Sequence, residues 1–98
     1  MPTFVANGKH PAELCPMYNN EIKEKFKEKV SKREELAKKH EVKVISACTS
    51  VLDHLIYYVV EAPSQLALEN YFMETGMASW NSIEIKQVRY LNDVLKML

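Results

Sequence analysis

The stretch 55-LIYYVVEA-62 decides the fold predicted for this chain. Its first six residues are all apolar or aromatic, and almost all of them favour β-structure. A strand with one face in solvent alternates apolar and polar residues, and this segment does not alternate. We therefore predict a strand that is covered on both faces.

The elements before this strand follow from periodicity and from turn-forming residues. A first strand is predicted from Thr3 to Lys9, and the segment 10-HPAELCP-16 is predicted as a loop or a single helical turn. Asn19 or Asn20 can cap a helix from about Glu21 to Lys39, which has an apolar stripe. The stripe consists of Ile22, Phe26, Val30 and Ala37, with Leu36 beside it.

Val42 to Thr49 is predicted to form a hairpin with the strand 55–62. Pro63 and Ser64 then open a second helix, which has Leu68, Tyr71 and Phe72 on one face, and Gly76 is placed to end it. Ser82 to Tyr90 is predicted as the last strand, and 91-LNDVLKML-98 as a short amphipathic helix.

The order β, α, β, β, α, β predicts an α+β, ferredoxin-like domain that spans residues 1–98. Its four-stranded antiparallel sheet has the expected order 4-1-3-2, with both helices on one face and the short C-terminal helix as an addition. One chain then supplies cover for only one face of the strand 55–62. We therefore expect a homodimer in which the bare sheet faces of two copies pack together.

Composition narrows the possible partners. The 98 residues include 13 basic and 13 acidic side chains, so the formal net charge of zero provides no general attraction to nucleic acid or to an anionic membrane. No apolar run is long enough to span a bilayer, and the start of the chain does not resemble a signal peptide, so we expect a cytoplasmic protein. In that compartment Cys15 and Cys48 are expected as buried thiols or ligands, with a disulfide between them as the secondary alternative.

The chain resembles the dimeric α/β-barrel families, in particular small uncharacterised bacterial and archaeal domains of about this length. The resemblance rests on the opening MPTFV, on YYVVEAPS leading into the second helix, and on the closing strand WNSIEIKQV. It implies the fold and a dimer. The wider superfamily includes monooxygenases, haem-degrading enzymes and small metal-binding and ligand-sensing proteins, so a function does not follow from the fold.

The predicted topology brings His10, at the end of the first strand, close to His54, at the start of the third. Cys15 follows His10 by a short loop, and Cys48 lies late in the second strand, near the same edge. Two imidazoles and two thiolates suit zinc, nickel or copper, and Glu13 is a candidate to orient one imidazole. The spacing matches no recognised zinc motif, and a structural role is the competing explanation for each residue. Cys48 could be a small core residue, His54 could cap or pair within the hairpin, and His10 could be the N-cap neighbour of a helical turn that begins at Pro11.

Two other functions remain open. Tyr57, Tyr58, Tyr71, Phe72 and Trp80 could line the cavity of a small cofactor-free monooxygenase or an isomerase-like enzyme. The chain could also be a structural or regulatory dimer without a catalytic site. RNA binding is disfavoured, because the third strand has no lysine, arginine or glycine. The preferred hypothesis is the binding of a transition-metal ion or small ligand near His10 and His54.

Overall fold

The computed structural model describes residues 1–98 as an α+β domain around one open antiparallel sheet. No helix in it combines the length and the apolar character needed to cross a membrane. The elements are β1 (Thr3–Lys9), a 3-10 turn (Ala12–Leu14), α1 (Asn20–Val30), α2 (Arg33–Lys39), β2 (Lys43–Ser50), β3 (Leu55–Glu61), α3 (Gln65–Glu74), a second 3-10 turn (Met77–Ser79), β4 (Ser82–Val88) and α4 (Leu91–Leu95).

The strands lie in the order β2-β3-β1-β4, which is the predicted order read from the opposite edge. Each neighbouring pair is antiparallel, so β1 and β3 form the centre of the sheet and β2 and β4 form its edges. This arrangement confirms the predicted α+β class and four-stranded sheet, and it is compatible with a ferredoxin-like fold.

The hydrophobic core lies between one face of the sheet and the helices. Phe4 pairs with Val60 in the register of β1 and β3, so both side chains point to the same face. Both are almost fully buried, together with Leu68 and Phe72 of α3. The predicted apolar face of the second helix is therefore confirmed.

The predicted helix starts are also confirmed. The Oδ1 of Asn19 accepts a hydrogen bond from the backbone N–H of Ile22 (3.0 Å), and the Oγ of Ser64 accepts one from the N–H of Ala67 (3.1 Å). Gly76 follows α3 with φ of +80°, a left-handed conformation that suits glycine after a helix.

The prediction of one continuous helix from Glu21 to Lys39 is wrong, because the segment breaks at Ser31 and Lys32 into α1 and α2. The Ser31 Oγ donates a hydrogen bond back to the carbonyl of Glu28 (2.6 Å), which offers the backbone an alternative to the helical pattern. No residue of either helix is fully buried.

The second face of β3 is not covered within one chain. Tyr57 is 39% exposed on this face, while Leu55 and Val59 are partly buried. Ile56 and Val60, which point to the helices, are buried. One chain thus covers one face of the strand, and the second copy expected on the other face stays a prediction.

Candidate metal centre

One ring nitrogen each of His10 and His54 and the sulfur of Cys15 lie within 4.8 Å of one another. The three residues come from three parts of the chain: the end of β1, the turn after it and the residue before β3. The structure therefore brings together three of the four predicted ligands. The backbones of His10 and His54 are directly hydrogen-bonded, since the N–H of His10 donates to the carbonyl of His54 (3.2 Å).

His10 is buried, with 7% of its surface exposed, and only one of its ring nitrogens has a hydrogen-bond partner. Nδ1 lies 2.9 Å from the Oδ1 of Asn81. Nε2 is buried and has no partner. A buried polar atom without a partner carries a desolvation cost that a bound ligand would remove.

Asn81 fixes which nitrogen of His10 carries the proton. Its Nδ2 donates to the carbonyl of Met77 (3.1 Å), so its Oδ1 must be the atom that faces His10. The Nδ1–H of His10 is then the donor, and Nε2 carries a free lone pair. A histidine that ligates a metal commonly has this arrangement, with the other ring nitrogen donating to an oxygen.

Gly8 packs against this contact. A Cβ built on Gly8 would lie 3.4 Å from the Oδ1 of Asn81, at the short limit of ordinary van der Waals contact. No local sequence pattern identifies Asn81 or Gly8, because their contact depends on the register of β1 with β4.

His54 is held in a strained backbone conformation, with φ of +58°. A residue other than glycine rarely adopts this left-handed region, and strain of this kind clusters at functional sites. The Nδ1 of His54 is buried without a partner, as is the Nε2 of His10. The two rings make an edge contact, with centroids 5.3 Å apart.

Cys15 supplies a buried free thiol, with 3% of its surface exposed. The 3-10 turn before it and the turn after it fix its backbone: its N–H donates to the carbonyl of Ala12 (3.1 Å), and its carbonyl accepts from the N–H groups of Tyr18 (2.9 Å) and Asn19 (2.8 Å). Pro11, which begins this segment, and the asparagine cap of α1 therefore both help to position the sulfur.

An aromatic wall closes one side of the cluster. The ring of Trp80 lies 4.8 Å from that of His10, and Phe26 lies 5.5 Å from Trp80. Such an apolar surround limits the access of water to the donor atoms. His54, which is only partly buried, is the most open of the three residues.

The donor set fits a borderline transition-metal ion. Bond lengths of about 2.0 to 2.3 Å around a tetrahedral zinc ion place ligand atoms about 3.5 Å apart. The separations here, at most 4.8 Å, therefore need to close by about an ångström, which small side-chain rotations supply. With no carboxylate in the group, the hard cations magnesium and calcium fit poorly.

The remaining predicted residues lie elsewhere. Cys48 is an exposed free thiol on the edge strand β2, opposite Tyr57, and is not part of the cluster. Glu13 is exposed, and Asn81 orients His10 instead. His40, which the sequence places at a helix end, does cap α2, and its Nε2 lies 3.3 Å from the Oε2 of Glu74.

The predicted aromatic cavity is only partly assembled. Tyr58 and Tyr71 line an open groove of about 750 Å³ between β2 and the helices α1 and α2. Phe72 and Trp80 are core residues, and Tyr57 lies on the other face of the sheet. Burial raises the pKa of Tyr58 to about 12, with Tyr71 adding to the rise and Arg33 opposing it. Burial also raises the pKa of Tyr71.

Comparison with protein-family models found no family that matches the chain, and comparison with curated proteins found no significant match. The fold and the cluster together define a class only: a small α+β domain with a buried group of two imidazoles and one thiol.

Proposed function

We propose that this domain binds one transition-metal ion, with zinc favoured over nickel and copper, through His10 Nε2, Cys15 Sγ and His54 Nδ1. The observation that carries the proposal is the pair of buried imidazole nitrogens without hydrogen-bond partners, both beside a buried thiol. Without an ion these groups are desolvated and uncompensated. An ion that accepts all three lone pairs removes that cost.

Zinc is favoured because it accepts nitrogen and sulfur ligands together and imposes no geometry through its d electrons. Three protein ligands leave a fourth position, which water or a small ligand can take. The partial exposure of His54 marks the side from which such a ligand would arrive. The binding of a small ligand at the metal is therefore the form of function that this site supports best.

The two cysteines provide a matched test of the metal site. Untagged protein is freed of metal and titrated with cobalt(II), whose charge-transfer absorption reports a thiolate ligand, and then with zinc as competitor. Cys48→Ser should retain the absorption and the zinc affinity. Cys15→Ser should lose the absorption. Its zinc affinity should fall at least about a hundredfold, since the change removes a direct ligand rather than a supporting residue.

Wild-type protein that shows no thiolate absorption and binds zinc no better than Cys15→Ser would refute the metal site. Equal losses in the two serine variants would also refute it, because Cys48 lies outside the cluster. Parallel titrations with nickel(II) and copper(I) decide between the three ions.

We also propose that two copies pair through the open sheet face as a dimeric α/β barrel in the cytoplasm. The support is the exposed apolar surface around Tyr57, with Val59 and Leu55 beside it. Tyr57→Asp should then convert a dimer into a monomer in sedimentation velocity. A wild-type chain that sediments as a monomer at every concentration would exclude this assembly.

A further inference from the structure

The groove between β2 and the helices α1 and α2 has the size and lining of a ligand-binding site. Its volume of about 750 Å³ lies within the usual range for small-molecule pockets. Most of its lining residues are apolar, and they include Phe26 and Val30 from α1 and Ala37 from α2. The groove is separate from the metal cluster, because Phe26 and Trp80 lie between the two.

The groove exists because the helices do not close over the edge of the sheet. No residue of α1 or α2 is fully buried, and seven of the eight residues of β2 are exposed. Small side chains on β2, such as Ala47 and Thr49, leave the space unfilled. Val44 and Ile45 remain 37% and 42% exposed, which leaves an apolar wall facing water.

The charges at the groove are unbalanced. Lys29, Arg33 and Lys38 line it with a single acidic residue, Glu34, so cations outnumber carboxylates by three to one. None of the three cations has a carboxylate within salt-bridge distance. The groove therefore attracts an anion and repels a cation.

Two tyrosine hydroxyls add hydrogen-bond donors inside the groove. Burial raises the pKa of both Tyr58 and Tyr71, so both hydroxyls stay protonated at neutral pH. Arg33 lines the same groove as both tyrosines. A guanidinium and two hydroxyls form a donor set for a carboxylate or sulfonate.

We propose that this groove binds a small organic acid with a flat apolar body and one anionic group. The apolar body lies between α1, α2 and β2, and the anionic group is held by Arg33 with Tyr58 and Tyr71. This site is independent of the metal-binding proposal, and its test uses metal-free protein.

The test compares two dyes with the same ring system. 8-Anilinonaphthalene-1-sulfonate carries one sulfonate, and N-phenyl-1-naphthylamine is its neutral counterpart. Affinities come from dye fluorescence, energy transfer from Trp80, the only tryptophan, verifies that the dye is on the protein, and the groove variants assign its position. The variants are Arg33→Gln, the groove-filling changes Ala47→Trp and Thr49→Trp, and Arg89→Gln as the charge-matched control outside the groove.

Arg33→Gln should lower the affinity for the sulfonate dye about fivefold and the affinity for the neutral dye less than about twofold, because only the sulfonate dye loses a charged contact. Either tryptophan variant should weaken the binding of both dyes at least about tenfold, measured by dye fluorescence that is excited directly and not through tryptophan. Arg89→Gln should change neither affinity. Thermal unfolding of each variant verifies that the fold is intact, and having two groove-filling variants keeps the test valid when one of them fails to fold.

Three results would overturn the proposal. The first is a wild-type protein that binds neither dye. The second is sulfonate binding that Arg33→Gln and Arg89→Gln weaken equally, which would indicate general charge attraction. The third is a wild-type dimer that the dyes dissociate, which would make a second copy of the chain the occupant of the groove.

Discussion

The centre of the sheet and its β2 edge contrast sharply within one small domain. Val60 in β3 and Val44 in β2 are register partners that point to the same face, yet Val60 is fully buried and Val44 is 37% exposed. The two thiols repeat this contrast, since Cys15 is buried inside the cluster and Cys48 is exposed on the edge strand. Dense packing holds the proposed metal ligands in place, whereas loose packing leaves the groove open.

The valine pair tests this contrast with the largest expected effect. Val60→Ala should lower the free energy of unfolding by about 2 to 3 kcal/mol, because it removes two methyl groups from a packed core. Val44→Ala makes the same chemical change at a partly exposed position and should lower the free energy of unfolding by less than about 1 kcal/mol. Urea unfolding of the metal-free variants measures both values. Similar losses in the two variants would mean that the β2 edge is packed as tightly as the centre.

The proposed metal site depends on Asn81, which orients His10. Asn81→Ala removes the acceptor of the His10 Nδ1–H and should lower zinc affinity about tenfold to a hundredfold. Asn81→Asp keeps an acceptor of the same size for His10 but loses the hydrogen bond to the Met77 carbonyl, so it should recover part of that affinity. Competitive zinc titration measures both variants. An alanine variant with wild-type affinity would show that His10 needs no orientation or is not a ligand.

Relief of backbone strain at His54 should change the stability of the protein by a smaller amount than the changes above, and Glu41 provides the control. Both residues have left-handed backbones, with φ of +58° and +57°, but Glu41 is exposed and outside the cluster. Glu41→Gly should stabilise the protein by about 1 kcal/mol through relief of this strain. His54→Gly should stabilise the metal-free protein by no more than that, because it also loses the ring contact with His10.

Zinc should affect these two glycine variants differently. It should raise the melting temperature of Glu41→Gly as it does that of the wild type, and it should leave the melting temperature of His54→Gly unchanged. A zinc-dependent rise in His54→Gly would mean that His54 is strained for a reason other than metal binding.

Sequence reasoning recovered the parts of the fold that depend on local patterns. The strands, the two helix caps and the left-handed Gly76 follow from alternation, from short polar side chains and from glycine. The break at Ser31 was missed, because a serine inside a charged helical pattern is common and the competing hydrogen bond to Glu28 cannot be read from spacing.

The sequence predicts which candidate ligands lie close together only where topology alone decides it. His10 and His54 meet because β1 and β3 are neighbours, and Cys15 follows one of them closely in sequence. Cys48 was misplaced, since a site near the end of an edge strand does not fix the direction of its side chain. The role of Asn81 depends on a contact across 71 positions of sequence, which no local pattern contains.

X-ray absorption at the zinc edge, measured on untagged protein loaded with one equivalent of zinc, tests the metal centre most directly. The proposed site predicts one sulfur ligand at about 2.3 Å and two imidazole nitrogens at about 2.0 Å, with a fourth light atom from water or a small ligand. A zinc ion surrounded only by nitrogen and oxygen, with no sulfur in its first shell, would contradict the assignment of Cys15 and with it the proposed site.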